Sequence, residues 1–143
     1  MKPTRYASCN YKRILPFIQG VNEDDDHRRF ESPGFMPLVI EYLHFTNRHG
    51  VPVYSIAHYG EQNGDLMADP DMELAIDTEA GTIEPLTFRN DYMGMYQEVY
   101  KRNASGQLLY SPRLRSELDD FLRQWLGNIQ QQGYTREASK CAT

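Results

Sequence analysis

The stretch Asp71-Met72-Glu73-Leu74-Ala75-Ile76-Asp77 decides the fold of this chain. Met72, Leu74 and Ile76 alternate with Asp71, Glu73 and Asp77, the period of two that a strand with one buried face requires. Asp77-Thr78-Glu79-Ala80-Gly81 supplies turn chemistry, with glycine where a left-handed backbone is needed, and residues 82–88 return as a second strand. Upstream, residues 36–46 are rich in Val, Ile, Leu, Tyr and Phe, and residues 51–59 form their partner across the turn Asn47-Arg48-His49-Gly50. Downstream, residues 93–102 and 107–110 predict two more strands around Asn103-Ala104-Ser105-Gly106.

Helices bracket this run. Tyr11, Ile14, Leu15 and Ile18 recur at helical spacing over residues 10–19, with Asn10 as the expected N-cap and Gly20 as the stop. Pro16 removes a backbone donor and is expected to kink or end this helix early. Ser111-Pro112 opens the second helix, serine capping and proline at the first helical position. Its apolar stripe is Leu114, Leu118, Phe121, Leu122, Trp125, Leu126 and Ile129. Glu23-Asp24-Asp25-Asp26 and His27-Arg28-Arg29 predict a solvated loop ending at Ser32-Pro33-Gly34, and Gly/Asp-punctuated residues 60–70 predict a second long loop. The expected architecture is α+β: a short N-terminal helix, an antiparallel meander of five or six strands, and a C-terminal amphipathic helix packed on one sheet face. A chain of 143 residues fits a single domain, 1–143, with an ordered core roughly over 8–132 and a polar tail at 133–143.

The formal charge is −5, with 15 basic and 20 acidic residues, which argues against a surface that grips nucleic acid throughout. Direct nucleic-acid binding is therefore not expected. The charge is uneven. No lysine or arginine lies between His49 and Phe88, a stretch that holds eight carboxylates, so the remainder of the chain is weakly basic. No apolar run approaches the length of a membrane span, and residues 1–5 lack the apolar core of a signal peptide. Cys9 and Cys141 make no disulfide framework, and a cytoplasmic setting is expected.

Two constellations could carry chemistry. Asp69, Asp71 and Glu73 alternate, so one strand face would carry all three carboxylates, with Asp65 folding in; hard cations such as Mg²⁺ or Ca²⁺ favour such oxygen clusters. Pro70 and Leu74 break the EF-hand template, however, and no lysine follows an acid by two positions as a nuclease pattern needs. His44 and His58 fall on adjacent strands, and His58 is the candidate base. Ten tyrosines, several in the sheet, suit a protein interface as well as β-propensity.

The run His58-Tyr59-Gly60-Glu61-Gln62-Asn63-Gly64-Asp65-Leu66-Met67-Ala68-Asp69-Pro70-Asp71-Met72-Glu73 resembles an uncharacterised domain family of bacterial plasmid and other mobile-element proteins, and residues 92–100 are similar to its later segment. Residues 10–16 and 118–126 also resemble the ends of the YqiB-like proteins, another bacterial family of unknown function. The resemblance implies a bacterial cytoplasmic domain and lends no mechanism.

The reading that follows is a non-catalytic binding or accessory module without a cofactor. It would present Tyr59, Glu61, Asn63, Asp65, Asp69, Asp71 and Glu73 to a protein partner, possibly a basic one. The alternative is a divalent-metal-dependent hydrolase in which Asp65, Asp69, Asp71 and Glu73 hold Mg²⁺ or Ca²⁺ and His58 acts as base. A homodimer through a sheet edge or tyrosine face is a third possibility.

Overall fold

The computed structural model describes residues 2–136; Cys141 and positions 137–143 of the expected tail lie outside the described residues. The elements are α1 (Ala7–Ile18), β1 (His27–Glu31), β2 (Leu38–Thr46), β3 (Pro52–Gln62), β4 (Asp65–Asp77), β5 (Thr82–Asn90), β6 (Met95–Glu98), β7 (Tyr100–Arg102), β8 (Leu108–Tyr110), α2 (Pro112–Gln131) and β9 (Thr135–Arg136). Strands β1 to β6 lie side by side in chain order, every pair antiparallel, and the two-residue β9 joins the outer edge of β1. Strands β7 and β8 form a separate small hairpin.

The decisive stretch behaves as its alternation requires. Met72, Leu74 and Ile76 are buried on one face of β4, and across the ladder they meet Ile56 and Tyr54 of β3 and Phe88, Pro85 and Ile83 of β5. Both helices cover this face. Ile14 and Ile18 of α1 and Leu118, Leu122, Leu126 and Ile129 of α2 pack with Leu38, Ile40, Ile56, Met72, Leu74 and Ile76 in one core. Burying each such side chain contributes about 2 kcal/mol. In α2, Ser111 caps as expected: its Oγ accepts the Leu114 amide at 3.3 Å, and Pro112 takes the first position.

Four sequence expectations are corrected. Asn10 is not a cap; α1 starts one turn earlier and buries Asn10 within it. The cap comes from α2: Asp119 accepts the Tyr6 amide at 2.9 Å, the Thr4 hydroxyl at 2.7 Å and the Asn10 amide group at 3.3 Å. The loop expected before Gly34 contains β1, whose Arg28 and Phe30 turn inward. The long loop at 60–70 is instead the end of a hairpin. Strand β3 runs to Gln62 and β4 starts at Asp65, joined by Asn63 (φ 54°) and Gly64 (φ 85°), the paired left-handed residues of a two-residue turn. Finally, the strand expected over 93–102 divides at Val99 into β6 and β7. The buried Val99 donates its amide to Leu86 and accepts from Ser111, each at 2.9 Å, instead of continuing the ladder.

The chain beyond α2 returns to the sheet. Ser32 donates to the Gln132 carbonyl, and the Tyr134 hydroxyl donates to the Met36 carbonyl at 2.5 Å.

Candidate functional site

With both helices on one side, the other face of the sheet is the surface on which side chains can meet a ligand. The residues that alternate with the core reach it: Arg29 of β1, Glu41 of β2, Tyr59 of β3, Asp71 and Glu73 of β4, Thr87 and Arg89 of β5, and Tyr96 and Glu98 of β6. Small residues line its floor. Ala57, Ala75 and Ser55 are all buried, and their lack of bulk leaves shallow depressions between the longer side chains. One of about 380 Å³ lies between Asp71, Glu73, Thr87, Arg89 and Tyr96. It adjoins a second of about 310 Å³, where Glu73, Tyr96 and Glu98 face the β7–β8 hairpin. A third of about 530 Å³ lies beside Arg29, Glu41, Tyr59 and Leu66.

The electrostatics of this face are set by half-buried carboxylates. Burial pushes the Asp71 carboxyl above its ordinary range, opposed by the hydrogen bond from Tyr59 and the nearby Arg89 charge. The Tyr59 hydroxyl donates to Asp71 Oδ2 at 3.2 Å, and burial beside that carboxylate pushes its own pKa up to about 12. The other oxygen, Oδ1, is buried without a hydrogen-bond partner. Glu73 is also raised, first by burial and then by the like charges of Asp71 and Glu98. Its backbone amide is held by Thr87 Oγ1 at 3.2 Å. Arg89 is committed elsewhere: its Nε pairs with Asp91 Oδ1 at 2.8 Å, while Asp91 Oδ2 accepts the Ala68 amide. Among the described residues Glu73 and Glu98 form no ion pair, although Arg48 and Arg102 line the same depression, beside Tyr96, which is 57% exposed.

The structure separates the residues singled out from sequence. Glu61, Asn63 and Asp65 are exposed at the tip of the β3–β4 hairpin, about 20 Å along the strand from Asp71. Asp69 does not share the face of Asp71 and Glu73. Ala68 pairs with Tyr59 and Asp71 with Ala57, so β4 carries two residues opposite the single His58. Such a bulge reverses the alternation. Asp69 therefore turns to the helix side, where it accepts the Asn90 amide group at 2.9 Å and acts electrostatically on His58. His58 is buried there. Its ring packs 5.3 Å from Trp125 and 5.7 Å from Tyr134, and its Nδ1 lies 3.2 Å from the Pro37 carbonyl. Burial pushes its pKa below the ordinary histidine value and favours the neutral ring. His44 lies apart from it, exposed and paired with Asp26 at 2.7 Å. Among the described residues, no three His, Cys, Asp or Glu side chains are placed to hold a metal ion. Of the predicted set, Tyr59, Asp71 and Glu73 share one surface. Glu41, Arg89, Tyr96 and Glu98 were missed; Arg89 in particular reaches this face only because β5 carries an extra residue, Leu86, between its pairings with Leu74 and Glu73, which reverses the alternation of Ile83 and Pro85.

One antiparallel sheet with two helices on one face defines a two-layer α+β fold. The chain belongs to the family described as a domain of unknown function, DUF6908, whose model matches residues 9–135 and so takes in most of α1, the meander and α2. No curated protein and no solved structure matches it. No helix among the described residues is long and apolar enough to cross a membrane.

Proposed function

We propose that this protein is a non-catalytic binding module that takes a basic segment of a protein partner on the open face of its sheet, at Asp71, Glu73, Tyr96 and Glu98. The observation that carries this reading is Glu73, a half-buried carboxylate between two like charges that forms no ion pair among the described residues, even with Arg48 and Arg102 lining the same depression. Ionised, it is held at a cost in the free protein, and an arriving lysine or arginine side chain relieves that cost. Tyr96 adds an aromatic face on which such a cation can stack, an interaction worth about 0.5–1 kcal/mol at an exposed position. The tip residues Glu61, Asn63 and Asp65 extend the negative potential along the hairpin and steer a basic partner rather than gripping it. A bacterial cytoplasmic setting, and the mobile-element context that the central run's resemblance implies, belong to this reading.

The test is titration calorimetry with a lysine- and arginine-rich peptide against the protein and its Glu73→Gln/Glu98→Gln variant. Saturable binding that weakens at least tenfold in the variant is expected. Equal affinity in both proteins, or no heat with either, overturns the reading.

A further inference from the structure

Charge is also segregated on the opposite side of the molecule. The first 22 residues contain Lys2, Arg5, Lys12 and Arg13 and no aspartate or glutamate. Folding brings Arg123 of α2 to them. The guanidinium of Arg5 lies 5.3 Å from the centre of the Tyr6 ring, and that of Arg123 lies 4.6 Å from the same centre. Arg13 Nη1 donates to the Arg123 carbonyl at 2.9 Å. It does so across Gly127, where a Cβ would come within 3.2 Å of that nitrogen. Arg5, Lys12 and Arg123 are exposed. None of the four cations Arg5, Lys12, Arg13 and Arg123 forms an ion pair among the described residues. The carboxylate of Asp119, on the same pair of helices, is buried and occupied by Thr4, Tyr6 and Asn10. Asp120, exposed three residues before Arg123, is the opposing charge on this surface.

We infer that this arginine cluster on the outer face of α1 and α2 is a docking surface for the phosphodiester backbone of nucleic acid. Guanidinium groups present fork-shaped donors that match phosphate oxygens. Two of them are held against one aromatic ring, so less ordering is needed on contact. The surroundings select this partner over others. The exposed large apolar residues, among them Phe35, Leu66, Met93 and Leu109, all lie off both helices. The cluster therefore has no exposed apolar wedge for a lipid surface. A patch of exposed cationic side chains is suited to contacts that follow the backbone and ignore sequence. The net charge of −5 does not oppose this. The acidic face lies beyond the sheet and a helix about 10 Å across, which exceeds the screening length of about 8 Å at physiological salt.

The test is fluorescence anisotropy with a labelled 20-base-pair duplex of mixed sequence, read at 50 and 200 mM NaCl. Neutralising three or four phosphates weakens binding about 40- to 150-fold over that range. The Arg5→Gln/Arg123→Gln variant should bind more weakly, and its salt dependence should fall to about 4- to 12-fold. Lys12→Gln, a change at an exposed position outside the core, should remove about one phosphate contact, a 3- to 4-fold smaller salt effect. Lys101→Gln/Arg102→Gln on the β7 strand should change neither. The inference is overturned by absent binding at 50 mM salt and 100 μM protein, or by salt dependences that are the same in all four proteins. It is equally overturned if polyglutamate of matched charge binds with the same affinity and slope.

Discussion

Replacing Glu73 by glutamine should make this protein more stable at neutral pH and a poorer binder. Glu73 and Asp71 are two positions apart on one face of β4, so their carboxylates lie about 7 Å apart by strand geometry. At that separation two like charges repel by about 0.6 kcal/mol in bulk water and about 2.4 kcal/mol at the effective dielectric of a protein surface. Glu73 is half-buried, so about 1 kcal/mol is the expected gain, which for a domain of this size is a rise in Tm of about 3 °C. The pH dependence identifies the cause. A carboxyl raised above its ordinary value of 4.5 in the folded state is harmless below that pH, where both states are protonated, and its penalty develops as pH rises through the folded value. The glutamine variant should therefore gain stability over the natural protein at pH 7 and match it near pH 4. Differential scanning calorimetry at the two pH values reads this directly. A variant that melts lower at pH 7, or gains equally at pH 4, would refute the reasoning, because shape and hydrogen bonding would then outweigh charge.

Three further outcomes follow from contacts described above. Asp119→Ala strands the Tyr6 amide and the Thr4 and Asn10 donors, and should cost about 3 kcal/mol by urea denaturation, with the loss of exchange protection concentrated at the start of α1. Glu84→Gln removes the charge shared by Arg115 Nε at 2.7 Å and the Tyr100 hydroxyl at 2.8 Å, loosening the seam between β5, β7 and α2. A loss of about 2 kcal/mol is expected, and thermal melts of the variant within 0.5 kcal/mol of the parent would count against that seam. His58 has its pKa lowered by burial, so its contribution is intact above about pH 6.5 and is lost as pH falls through its folded value. His58→Phe should flatten the decline in stability between pH 6.5 and 5; an unchanged slope would place the acid sensitivity elsewhere.

Elements whose pattern repeats over several turns or pleats were legible. The β4–β5 hairpin and α2 follow from alternation, a glycine turn and a Ser-Pro start, and the structure places them where these signals end. Strand β1 was hidden because its five residues alternate an arginine and a phenylalanine inward among charges, so no apolar period stands out. Asn63-Gly64 is a strong turn signal, but it sits between exposed strand ends where Glu61, Gln62, Asp65 and Leu66 show no buried face to count. Half of the candidate site was legible for a related reason. Strict alternation placed Asp71 and Glu73 together correctly, and the same rule misplaced Asp69, because a single extra residue opposite His58 reverses everything beyond it. Convergence of Tyr96 and Glu98 with these carboxylates depends on the register of β6, which local sequence does not determine.

The dependence of α1 on Asp119 has a consequence for how the protein is made. During synthesis α1 lacks the carboxylate that completes its end until more than 110 further residues have been joined. At about 5–20 residues per second, that interval is about 6–20 s. Throughout it, Ile14 and Ile18 have neither the sheet nor α2 to cover them. Helix α1 is thus made long before the elements that secure it, and while it waits its apolar side chains are open to capture by chaperones.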